Sequence, residues 1–371
     1  MKITRIETIP LRVPIKPALA IKSGRGGSHV TSPFLIVKVH TDEGITGLGE
    51  ASCTPRWSGE DQFTAAHFVN EYFSPLLIGQ DPTQIEACSK LFMPVVANNP
   101  FTKAAVEMAL WDIAGKAAGK PVYELLGGKV RDFVPTKFSV SGRPPEQAAD
   151  IARWAIEQGF RAMKVKVGID PDGDVARFQA VRAAVPPETP LGVDANGAWK
   201  TWKQALEVIA RLDGVKFVEQ PFPAFELSEN VWLSEAIAVP IIADESCYTL
   251  QDARNIIAGG AAHVLSIYVG KAGGIAPARE IANFARRKDT QCTIGSNLEL
   301  GIGSAAMTHL ALATPGVTAE AFPCDIIGPL FYEDDILAEP LPIKGGEARV
   351  HERPGLGVEL DDAKVEKYRV R

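Results

Sequence analysis

The sequence has no paired cysteines, no membrane-length apolar run, no basic block and no low-complexity tract, and each absence removes a class of function. Its five cysteines, Cys53, Cys88, Cys247, Cys292 and Cys324, are scattered and show neither zinc-type nor redox-type spacing. They read as reduced residues of a cytosolic protein. Met1 to Pro14 alternates Ile3, Ile6, Ile9 and Leu11 with polar residues instead of offering a signal-type core. With no spanning segment either, a cytoplasmic location is expected. Lysine and arginine number 39 against 45 acids, a net charge of −6. Without a cationic cluster, nothing favours nucleic acid or an anionic membrane surface. A small-molecule partner is the expectation.

What is present is a series of charges at near-constant intervals. From Lys166, the steps through Asp194, Glu219, Asp244 and Lys271 to Glu299 are 28, 25, 25, 27 and 28 residues. Each of these intervals is the length of one strand–helix unit. Asp194, Glu219, Asp244 and Lys271 each end a short β-rich run: Leu191 to Val193, Phe217–Val218, Ile241–Ile242 and Val264 to Val269. Such runs separated by helical patterns imply a parallel sheet covered by helices. Closed into a barrel, that sheet gathers reacting groups at its carboxyl-end face. Lys164 and Lys166 stand two apart on one strand and so share a face.

At 371 residues the chain suits a barrel plus a smaller module. Residues 1–130 read as an α+β capping domain. They carry a first strand, a hairpin over Phe34–Ala51 and helices around Gln62–Phe73, Pro82–Phe92 and Thr102–Ala118, the last stopped at Gly119. Residues 131–325 read as the barrel, opening with a strand near Phe133–Val140 and an amphipathic helix from Glu146 to Gln158. Residues 326–371 read as a C-terminal segment packing back on the cap.

Asp194, Glu219 and Asp244, on successive strand ends, offer hard oxygens to one cation, a set that suits Mg²⁺, with Mn²⁺ as a substitute. A substrate carboxylate bound there becomes easier to deprotonate at its α-carbon. The base must have a populated free form, and a neighbouring ammonium and the cation both lower a lysine's pKa. The Lys164–Lys166 pair supplies that neighbour, and Lys271, four strands round, would approach from the opposite side. The competing reading, a salt-bridge lattice without function, would bury three lysines and four acids at high cost.

Lys164-Val-Lys166, Asp194-Ala-Asn196, Glu219-Gln-Pro221, Ala243-Asp244-Glu245-Ser246 and Lys271-Ala-Gly-Gly274 resemble the enolase superfamily in its muconate lactonizing enzyme subgroup. The resemblance extends over nearly the whole chain. It implies a (β/α)7β modified TIM barrel with an α+β N-terminal capping domain, a metal triad of Asp194, Glu219 and Asp244, and Lys166 as acid/base. By the same resemblance Lys164 tunes Lys166, Lys271 faces it, and the assembly is a homo-oligomer, often an octamer. Glu299 joins Lys164, Lys166 and Lys271 as a candidate catalytic residue, reacting or else anchoring water or Lys271. Two loops of the cap, Lys22–His29 and Ser52–Trp57, would select the substrate, with Arg25, His29 or Arg56 recognising a distal carboxylate. Trp57, Asn196 and Asn297 complete the candidate substrate contacts.

The seventh-strand segment Thr293–Glu299 lacks the histidine of the mandelate racemase and acid-sugar dehydratase branches, and His263 and His309 read as structural. The Asp-x-Asp pair of dipeptide epimerases is missing from Ala321–Asp325. The expectation is a Mg²⁺-dependent muconate-type cycloisomerase, interconverting a cis,cis-dienedioate and its lactone through a metal-stabilised enolate. The alternative is a racemase or epimerase of N-substituted amino acids that moves a proton between Lys166 and Lys271.

Overall fold

The computed structural model describes every residue except Arg25, Gly27 and Arg371. Strand Ile3–Pro14 pairs antiparallel with Thr31–Thr41, which pairs with Thr46–Ser52. The hairpin read over Phe34–Ala51 is the second of these pairings, with Leu35 opposite Ala51. Its central strand is buried on both faces, because alternate side chains serve different cores. Phe34 and Ile36 join the cluster that continues into the barrel, whereas Leu35, Val37 and Val39 join the cap's own.

Helix Pro100–Ala118 lies against this sheet, begins two residues before the expected start and ends at left-handed Gly119 (φ 65°). Its close approach depends on two glycines. A Cβ on Gly49 would stand 1.7 Å from the Ala105 carbonyl oxygen, and one on Gly47 2.1 Å from that of Ala109. The helix expected over Pro82–Phe92 starts only at Ile85. Asp81 takes the Thr83 amide at 3.0 Å and hydroxyl at 2.7 Å into a turn instead.

Seven parallel strands follow in sequential spatial order: Phe138–Val140, Met163–Lys166, Leu191–Asp194, Val218–Glu219, Ile241–Ala243, Val264–Ile267 and Gln291–Ile294. The segment at Cys324 and Asp325 closes the ring. Cys324 bridges parallel to Thr136, and the Asp325 amide donates to the Ile294 carbonyl at 2.7 Å. The architecture is a (β/α)7β barrel with an α+β cap. Val134–Pro135, read as part of the first barrel strand, instead forms the edge of a small sheet with Ile343–Lys344 and Glu347–Ala348. An edge tolerates a proline that lacks an N–H.

Cap and barrel are joined by buried carboxylates. Glu107 on the long cap helix accepts from the Ile275 and Ala276 amides at 2.7 and 2.9 Å, capping barrel helix Ile275–Arg287. The C-terminal segment returns to the cap, where Ile15 bridges Tyr332 and Leu11 bridges Arg369.

Replacing Gly49 by Ala forces the helix off the sheet and should destabilise the fold by about 1–3 kcal/mol, as overpacking does. Denaturant unfolding checks this. An unchanged midpoint would show that the glycine does not set the helix–sheet spacing.

Candidate active site

The barrel register brings the charged residues together. Lys166 is the strand partner of Asp194, and Asp194 that of Glu219. Lys166 Nζ donates to Asp194 Oδ2 at 2.6 Å and Asn196 Oδ1 at 2.8 Å. Lys164 Nζ lies 2.5 Å from Glu219 Oε1, 2.9 Å from Asp325 Oδ2 and 3.1 Å from Asp194 Oδ2. Lys271 Nζ donates to the Asp244 carbonyl, Asp244 Oδ1 and the Ser266 carbonyl at 2.6, 2.7 and 2.8 Å.

Burial works against the Lys164 ammonium, but Asp325, Glu219 and Asp194 outweigh it and hold its pKa well above the ordinary lysine value. Lys164 is therefore a firm cation beside Lys166. Burial likewise opposes ionisation of Asp194, yet Lys166 and Lys164 hold its carboxyl well below the usual range. At Glu219 burial wins over Lys164 and pushes the carboxyl up to about 8.

No group of three or more His, Cys, Asp or Glu among the described residues is arranged to hold a metal ion, with Lys164 set between Asp194 and Glu219. The donor set nevertheless fits a hard cation. Glu219 Oε2 is buried with no hydrogen-bond partner, and the three carboxylates occupy neighbouring strand ends.

The loops after these strands are shaped by the motif residues. Gln220, at φ 37°, accepts from the Asp244 amide at 2.8 Å through Oε1 and donates to Ser246 Oγ at 2.7 Å through Nε2. Asn196, at φ 47°, gives its Nδ2 to Glu245 Oε1 at 3.1 Å while its oxygen accepts from Lys166. Such left-handed non-glycine positions are held only by surrounding contacts. Arg177, buried, donates to the Lys166 carbonyl at 3.1 Å.

A cavity of about 380 Å³ opens over these groups. On its wall lie Lys164, Lys166, Asp194, Asp244 and Asn196 from the barrel, and His29, Arg56 and Trp57 from the cap. Asn297 also lines it, and its Nδ2 donates to the Ser52 carbonyl at 3.0 Å. His29 pairs with Ser32 Oγ at 2.8 Å, and burial lowers its pKa. Arg25 lies outside the described residues.

Glu219, Lys271 and Glu299 are not among the residues lining the cavity. Lys271 also departs from the expected strand. That strand stops at Ile267, and the lysine rides a helical turn, Val269–Ala272, closed by left-handed Gly273. Glu299 accepts from Ser296 Oγ at 2.6 Å and the Asn297 amide at 3.1 Å, while Lys271 is held by Asp244 and Ser266. His309 and His263 accept from the Tyr123 and Ile241 amides, which are structural roles.

Three residues of the site escaped the sequence reading. Asp325 lies 26 residues beyond Glu299, continuing the period that marks the other charges. Lys137, buried, sits 3.2 Å from Asp325, and its place in a β pattern gave no sign of an inward lysine. Tyr268 looked like one more apolar strand residue, yet its hydroxyl donates to Asp244 Oδ2 at 2.6 Å.

Barrel, cap and strand-end charges together define an enolase-superfamily enzyme. The chain matches the family described as "Mandelate racemase / muconate lactonizing enzyme, N-terminal domain" over residues 5–127 and "Enolase C-terminal domain-like" over 146–364. It belongs to that family, in the muconate lactonizing enzyme-like subgroup, and is an isomerase.

It is 32% identical to N-succinyl-L-Arg/Lys racemase of Bacillus cereus, over 100% of this chain and 98% of the relative. It is 34% identical to muconate cycloisomerase 1 of Rhodococcus opacus, over 97% and 96%. The structure of a dipeptide epimerase from Enterococcus faecalis, complexed with Mg and the dipeptide L-Leu-L-Tyr, superposes with a TM-score of 0.90 at 29% identity. That match covers 97% of this chain and 100% of the epimerase. The fold and core are thus common to proteins of different reactions.

Behind Glu299, Glu50 of the cap accepts from the Leu300 and Gly303 amides at 2.7 and 2.9 Å. Burial, with Glu299 and Asp335 nearby, pushes its carboxyl from 4.5 up to about 8. The folded protein then binds more protons than the unfolded chain across that interval. The contribution of Glu50 is full below 4.5 and lost as pH rises through about 8. The stability of the wild type relative to Glu50→Gln should fall from acid to alkaline pH in thermal unfolding, and a pH-independent difference would contradict this.

Proposed function

We propose that the protein is a Mg²⁺-dependent cycloisomerase of muconate type. The observation that carries this reading is one-sidedness: Lys164 and Lys166 stand on the cavity wall, and Lys271 does not. Racemisation needs acid/base groups on both faces of a planar intermediate, whereas cycloisomerisation needs only one. Among the described residues the wall also has no carboxylate on the cap side to hold a substrate ammonium. Its acids are Asp194, Asp244 and Asp325, each paired with a lysine. Likeness to a muconate cycloisomerase is consistent with both points.

Asp194, Glu219 and Asp244 would hold the Mg²⁺, which when bound neutralises a substrate carboxylate and acidifies the adjoining carbon. In the lactone-forming direction one carboxylate oxygen of the dienedioate adds to the diene. Lys166 Nζ then gives its proton to the carbon α to the other carboxylate, and in reverse it takes that proton back. Asn196 and Arg177 fix Lys166 for this transfer through its ammonium and its backbone carbonyl. Lys164 stays charged and keeps the field at the reacting end positive. Ile21, Val30, Trp57, Leu298 and Ile327 add apolar surface to a wall that also carries His29, Arg56 and Asn297.

With Mg²⁺ present, cis,cis-muconate should lose its diene ultraviolet absorbance, and Lys166→Ala should slow that loss by about 10²–10⁴-fold while the fold persists. Unchanged absorbance together with racemisation of an N-succinylated amino acid would overturn the reading.

A further inference from the structure

The lysine missing from the wall is kept from it by specific residues. Lys271 is 1% exposed, and the three N–H bonds of its ammonium match its three oxygen acceptors at 2.6–2.8 Å. Tyr268, which does line the cavity, holds its ring centroid 4.2 Å from Lys271 Nζ. That ring is fixed on several sides. Its hydroxyl is bonded to Asp244, and Trp57 of the cap stacks on it at 5.4 Å and 13°. Trp57 is itself held by Glu245 Oε1 at 3.1 Å and packs edge-on to Phe101 at 6.0 Å. Gly295, at the end of the seventh strand, leaves the slot the ring fills, since a Cβ there would stand 2.0 Å from Tyr268 Cε1.

We propose that Tyr268, braced by Trp57 and seated against Gly295, confines proton exchange to the Lys166 face of a bound substrate and so determines the facial selectivity of this enzyme. Tyr268 acts as a positioning residue through what it covers. The inference rests on the cycloisomerase reading and names the residue behind its one-sidedness. It also assigns the cap a part in stereochemistry, because Trp57 belongs to a cap loop.

The test is hydrogen exchange in D₂O with Mg²⁺, using muconolactone and nuclear magnetic resonance of the methylene beside its free carboxylate. Neutral Lys166 Nζ takes one methylene proton, the C–H electrons pass into the enolate, the ammonium exchanges with solvent, and a deuteron returns to the same face. The wild type should exchange one of the two methylene protons. Tyr268→Leu, which removes the ring, and Gly295→Ala, which displaces it from a milder change, should each raise incorporation from one deuteron to two. Adding Lys271→Met should return Tyr268→Leu to one.

Exchange of both protons by the wild type, or of only one by both variants, would overturn the proposal. If muconolactone exchanges neither proton, the cycloisomerase reading fails separately, and the α-carbon of an N-succinylated amino acid reports the face. Deuteration there with retention supports the screen, and deuteration with inversion overturns it.

Discussion

Lys137, Lys164, Lys166 and Lys271 are buried around the barrel mouth with Asp194, Glu219, Asp244 and Asp325, and the rest of the site depends on their being paired. An unpaired charge in such a place costs several kcal/mol. Lys137 meets Asp325, Asp325 meets Lys164, Lys164 meets Glu219 and Asp194, and Asp194 meets Lys166. Lys271 and Asp244 form a second pair, closed by the Tyr268 hydroxyl. The lattice is dense enough to be stable and still leaves a Glu219 oxygen without a partner. For the proposed cation to bind, an ammonium would have to yield its place between carboxylates.

The same constraint explains the cap. The lattice loses its dry surroundings unless something covers the mouth, and the cap does so with buried polar contacts as well as apolar ones. Glu50 and Glu107 receive backbone amides of barrel helices, and Trp57 lays an aromatic ring on Tyr268. Trp57 thus belongs both to the cavity wall and to the domain interface. On the proposed screen, a loop change at Trp57 would reach the chemistry through Tyr268.

The period of the charges was legible because each strand–helix unit contributes one strand end, so spacing along the chain becomes proximity in the barrel. Asp194, Glu219, Asp244, Lys164 and Lys166 could be placed together on that ground alone. The period does not say which strand-end groups face the cavity. Lys271 was assigned to the wall because the apolar run Val264–Val269 does not reveal that its strand stops at Ile267. Lys137 was invisible because a lysine in a strand pattern reads as solvent-facing, and it is Asp325 and the Pro323 carbonyl across the closing seam that give it a reason to point inward. The screening role of Tyr268 depends on Trp57 and Gly295, far away in sequence, and no local pattern encodes that meeting.

The most direct test of the central claim, that this lattice is a cation site held shut by lysines, is calorimetric titration of the purified protein with Mg²⁺. One ion per chain is expected for the wild type, with the binding heat lost in Glu219→Gln, because the amide cannot give up a proton to the ion as the unpartnered Glu219 carboxyl can. Absence of binding heat in the wild type, or undiminished binding in Glu219→Gln, would contradict the account.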